Sequence, residues 1–122
     1  MQLTDRLDPD SFSNDEVVGV AAVERDVPMQ DVPEADWIFV PERLFHRLLS
    51  LGEAYSLHFA PLLESQADSE LNATQCQGFL DELRFLHQVV ADAALSAMLK
   101  ELLPKVEHVV RHSGLSLRFS PP

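Results

Sequence analysis

Five histidines, one cysteine and twenty carboxylates are the side chains with chemistry to offer in this 122-residue sequence. His108 and His112 stand four apart in a stretch of helical periodicity, the spacing at which two imidazoles share a metal ion. A zincin would carry Glu directly after the first His as its base, and Val109 holds that position. A third ligand would have to come from His46, His58, His87 or an unplaced acid. Beside the pair, Glu107 and Arg111 form an ordinary i,i+4 ion pair, and imidazoles near a helix C-terminus are favoured by its dipole. The expectation is a solvated helix end with no metal.

His87 and His58 each qualify as a general base, but no Ser, Cys or Asp is placed by motif to complete a triad with either. Cys76 falls on the apolar side of a predicted helix near its start. A helix N-terminus lowers a thiol pKa, yet the apolar setting makes a small buried hydrophobe the expected reading. The acid pairs Asp81-Glu82 and Asp15-Glu16 are sequence neighbours, so on a helix they point about 100° apart and do not face one substrate. Four scattered glycines build neither a P-loop nor a dinucleotide fingerprint. No catalytic residue, cofactor or metal is expected, and the chain reads as a non-enzyme.

The elements that position these residues follow from periodicity. Val17 to Val23 and Trp37 to Val40 are β-prone runs, the first weakened by Gly19. Pro41 suits the first turn of a helix over roughly 41–60, with Leu44, Leu48, Leu51, Tyr55, Phe59 and Leu62 on one stripe flanked by Phe45 and Leu63. Pro61 then kinks or restarts it. Gln66 to Leu71 reads as a polar, acidic connection. Two capping boxes compete to start the second helix, Asn72 with Gln75 and Thr74 with Gln77. Its stripe, Cys76, Phe79, Leu80, Leu83, Leu86 and Val90, is out of phase with the following one, Leu95, Met98, Leu99, Leu102, Val106 and Val109. That shift predicts a break near Ala91-Asp92, with Asp92 as N-cap of a third helix that Pro104 bends or divides. Gly114 is placed for a left-handed C-terminal cap. Leu115 to Phe119 alternates as a strand with one buried face, pairing with Trp37 to Val40 or Val17 to Val23. The predicted fold is a single α+β domain, mainly helical, with three amphipathic helices and a two- or three-stranded sheet. An acidic, Pro-containing segment over 1–36, partly strand, leads into a helical core over 37–122.

Charge is unevenly spread. The formal total is −11, and Met1 to Asp36 alone carries ten acids against Arg6 and Arg25. So few cations argue against nucleic acid and anionic membranes. One cysteine, no basic and apolar leader, and no apolar stretch of membrane-spanning length lead us to expect a cytoplasmic protein. In Gln30 to Trp37, Asp31, Glu34 and Asp36 precede the only tryptophan, Trp37, which has the composition of a hot spot for a basic protein. On the second helix, Phe85 and Val89 lie opposite the apolar stripe, so that helix either packs on two sides or presents a docking patch.

In size, charge and lack of a catalytic motif, the chain is similar to bacterial immunity proteins that inhibit toxins. That resemblance implies an antitoxin-type inhibitor whose carboxylates occupy the cleft of a basic toxin or effector. The chain also looks like a bacterial secretion chaperone, which would hold its cargo on an apolar face around Phe85 and Val89 and can be a homodimer.

Overall fold

The computed structural model describes residues 16–63, 68–90 and 92–120. The acids expected to contribute at 5, 8, 10 and 15 lie outside them. The architecture is α+β and mainly helical, as predicted, but the sheet has four strands. In chain order these are β1 (Val17–Glu24), β2 (Trp37–Pro41), β3 (Ser69–Leu71) and β4 (Leu115–Ser120), with helices α1 (Glu42–Ala54), α2 (Ala73–Val89) and α3 (Ala93–Arg111). The sheet order is β2-β1-β4-β3 and every pairing is antiparallel.

Alternation along the strands makes two faces. Val18, Val20, Val40, Leu71, Leu117 and Phe119 join the buried residues of the three helices in one core. Phe119 sits at its centre, with ring centroids 5.8 Å from Phe45 of α1 and 6.2 Å from Phe79 of α2. On the opposite face Ala21 and Val23 pack with Val32, Val27 and Trp37 in a second, smaller core. β4 is therefore buried on both faces, against the expectation of one. Ser116 and Arg118 face the small core, beneath the segment that joins β1 to β2.

The predicted helix over 41–60 ends at Ala54, because the chain turns there without a glycine. Ser56 takes φ 56°, the N–H of Ser56 donates to Glu53 O at 3.1 Å, and that of Leu57 donates to Gly52 O at 2.8 Å. This is a Schellman closure with Ser in the left-handed position. Tyr55, Phe59 and Leu62 thus leave the helical stripe, and Pro61 falls instead within a 3-10 turn, Ala60–Leu62. The turn is seated by Glu82 of α2, whose buried carboxylate accepts the N–H groups of His58, Phe59 and Ala60 at 2.6, 3.1 and 3.0 Å. Gly78 makes room for the Phe59 ring, since a Cβ there would lie 2.2 Å from Cε2.

Part of the acidic connection is strand: Ser69–Leu71 pairs with β4. Of the two capping boxes, Asn72 with Gln75 forms. The predicted break follows α2, and Asp92 caps α3. Pro104 neither divides that helix nor ends it, and it sits on the exposed side. Gly114 is not left-handed, and α3 closes at His112. No helix among the described residues is long and apolar enough to cross a membrane.

Candidate functional site

The end of β1 and the segment between β1 and β2 carry Glu24, Asp26, Asp31, Glu34 and Asp36 against Arg25 alone. The segment is folded onto the sheet. Two 3-10 turns, Met29–Asp31 and Glu34–Asp36, bring Val27 and Val32 down on Ala21 and Val23. Buried Arg118 reaches up from β4 and donates to the carbonyls of Glu24 (3.1 Å), Arg25 (2.7 Å) and Val27. Three backbone acceptors on one guanidinium use the fork of donors that distinguishes Arg from Lys. At the far end Lys105 of α3 donates to Asp36 O at 3.1 Å. The cations nearest the segment thus bind its backbone, and the carboxylates of Glu24, Asp26, Asp31 and Asp36 stay exposed.

Trp37, the expected aromatic anchor, is half-buried over Gly19, where a Cβ would approach its Cε3 to 3.0 Å. It contributes to the small core and does not project with Asp31 and Asp36. Between this segment and the end of α3 lie two open hollows of about 240 and 370 Å³. The first is walled by Val23, Val27, Val32, Asp36 and His108, and the second by Glu24, Arg25, Asp26 and His112. The rings of His108 and His112 are 4.5 Å apart. Among the described residues no three His, Cys, Asp or Glu side chains are grouped to hold a metal ion.

The remaining candidates lie elsewhere. His87 is exposed, with Nε2 3.1 Å from Ser96 Oγ. His58 is exposed at the seated turn, and Cys76 is fully buried, its Sγ 3.8 Å from Leu71 O. Burial pushes the thiol up from 9.0 to about 12, so at neutral pH it is no nucleophile.

Phe85 and Val89 are 37% and 46% exposed, so α2 is not enclosed on two sides. Tyr55, itself 44% exposed, stands edge-on to Phe85 with centroids 5.3 Å apart, and the three form an aromatic-aliphatic patch apart from the acidic segment. Sequence reasoning placed Tyr55 in a helical core stripe and so missed it here. It also passed over Arg118, whose signal was a lone cation in a short alternating strand. Compared with known protein families, curated proteins and solved structures, the chain matches none.

Proposed function

We propose that the protein works by binding another protein, as an acidic inhibitor of the immunity or antitoxin type. Its β1–β2 segment would occupy the cleft of a basic toxin or effector. The observation that carries this reading is the anchoring of the acidic segment by Arg118 and Lys105. A charged loop already held in one arrangement loses little conformational entropy on docking, and its field steers a cationic partner. The hollows beside it, walled by Glu24, Asp26 and Asp36, have the size and sign to take Lys or Arg side chains. Such work needs no catalytic group, cofactor or metal, and it suits a cytoplasmic protein facing a basic protein and not nucleic acid.

The test is capture of a partner from the source cell, followed by binding kinetics with Asp31, Glu34 and Asp36 reversed to Lys. Association should slow about tenfold or more, and the wild-type rate should fall steeply with added salt. Binding that ignores both changes would remove the basis of this reading. A second reading, an export chaperone or adaptor, is favoured by the exposure of Phe85, Val89 and Tyr55 on one patch. There, binding would survive high salt and fail in Phe85→Ser.

A further inference from the structure

A third hollow, of about 140 Å³, opens where β2, α1 and α3 meet. Its apolar lining comes from Pro41 of β2, Leu44 of α1, and Ala97 and Met98 of α3, and both Leu44 and Met98 are buried. The volume is close to the ~150 Å³ of an apolar cavity that accepts benzene, so it has room for a stem of four methylenes. Glu101 of α3 lines the same hollow and is exposed. Ala97 and Glu101 are i,i+4 neighbours, so the methyl and the carboxylate share one face of the helix. Glu101 has no ion pair among the described residues. Lys105, the cation that an i,i+4 pair would give it, donates instead to Asp36 O, and Arg47, one turn beyond Leu44 on α1, is held by Asp92.

A carboxylate left in this way decides what the hollow can hold. A purely apolar side chain seated there would bring hydrocarbon against Glu101 and strip its hydration without giving it a partner. A side chain with an aliphatic stem and a cationic head meets both conditions. The stem packs on Leu44, Ala97 and Met98, and the head reaches Glu101 from within the same hollow.

The hollow also lies on the flank that carries the acidic segment. Glu101, Lys105, His108 and His112 follow one another at spacings of four, three and four, which makes one stripe of α3. Lys105 touches Asp36, and His108 and His112 wall the two hollows beside the segment. Glu101 and His108 are about 10 Å apart along the helix axis. A partner that covers the acidic segment with an interface of ordinary size therefore reaches this hollow.

We propose that the hollow seats a lysine or arginine side chain of the protein partner, with its stem on Leu44, Ala97 and Met98 and its cation on Glu101. That the side chain belongs to the partner rests on the proposed function; the preference for an aliphatic cation rests on the hollow alone. A second copy of the chain is disfavoured as the occupant, because it would bring together two chains of net −11.

The probes are the capped tripeptides Gly-Lys-Gly and Gly-Arg-Gly, added to the full chain while its methyl and amide resonances are followed by NMR. Either should shift the Ala97 and Met98 methyls and the Glu101 amide in a saturable way, with a dissociation constant of about 5 mM. Gly-norleucine-Gly has the lysine stem without its charge and should bind about fivefold more weakly or worse; ammonium chloride has the charge without a stem and should leave both methyls unmoved. Glu101→Gln removes the charge and Ala97→Leu fills the hollow, and each should weaken tripeptide binding about fivefold. Norleucine binding as tightly as lysine overturns the proposal, and so do shifts spread evenly over Asp31 and Asp36. Shifts of the same methyls that grow with protein concentration without peptide also overturn it, since the occupant would then be a second copy. If the tripeptides bind as expected while a captured partner ignores salt and reversal of Asp31, Glu34 and Asp36, the hollow's preference stands and the basic-partner reading fails. If that partner depends on those three carboxylates but is indifferent to Glu101→Gln and Ala97→Leu, its side chain does not sit here and the proposed function stands.

Discussion

Arg47 of α1 places Nε 2.5 Å from Oδ2 of Asp92, the residue that begins α3. The same carboxylate accepts the Leu95 N–H through Oδ1 at 3.0 Å, so one nearly inaccessible side chain both caps a helix and joins it to another. Asp92→Ala should cost about 2–4 kcal/mol, the sum of a lost N-cap and a cation left without its partner. Asp92→Asn keeps a good cap and loses only the charge, so its cost should be about half. Urea denaturation of both, with Arg47→Ala as the complementary variant, measures the two parts.

Ser56 sits at φ 56° in the closing turn of α1, a conformation that glycine adopts without penalty. Its side chain is exposed, so nothing is lost by removing it. Ser56→Gly should raise stability by about 0.5–1 kcal/mol, despite the greater freedom glycine brings to the unfolded chain. A lower thermal midpoint for this variant would contradict the left-handed closure.

Arg118 holds the acidic segment from below, and its loss should be felt there first. Arg118→Met keeps the volume and takes the guanidinium from the carbonyls of Arg25 and Val27, while Glu24 O keeps the Val27 N–H at 3.2 Å, at a cost of about 2–4 kcal/mol. Amides in 25–36 should exchange faster, and Trp37 emission should shift to the red as the small core opens. Arg118→Lys should fall between, because one ammonium on a flexible stem cannot reproduce the guanidinium fork.

Cys76 links pH to stability in a definite direction. Its folded value, about 12, lies above the 9.0 of an ordinary thiol. The folded state therefore holds its proton more tightly, and this contribution is complete below pH 9 and lost progressively as pH rises toward 12. Cys76→Ala should flatten that decline. In native protein at pH 8 the thiol should resist iodoacetamide and react within minutes once urea unfolds the chain.

Much of this fold was legible in the sequence because its signals are local. Asn72 and Gln75 cap each other within one turn, and the phase change between Leu86 and Leu95 marks a helix boundary wherever the helices later pack. What escaped depends on distance. Ser69–Leu71 is too short to show alternation and is a strand only because β4 lies beside it. The end of α1 carries no glycine to announce it. Arg118 contacts carbonyls more than ninety positions away, so its strand looked half-solvated until the segment above it was in place. The composition of the acidic segment was plain from the start, but its attachment to the sheet was not, and Trp37 is spent on that attachment.

The position of β4 between β1 and β3 also governs when the fold can form. Gly19 pairs with Ser120 across about 100 residues, and a contact of such separation is among the slowest that a chain makes. On an elongating chain β1, β2 and all three helices emerge first, while the inner edge of β1 and the seat of Phe119 remain open. Until β4 arrives, one edge of the Val-rich β1 is open, with apolar side chains on both faces, so the window for misassociation closes only when β4 is made. The sheet is thus completed from its middle, and the strand that anchors the acidic segment is also the one that ends this exposure.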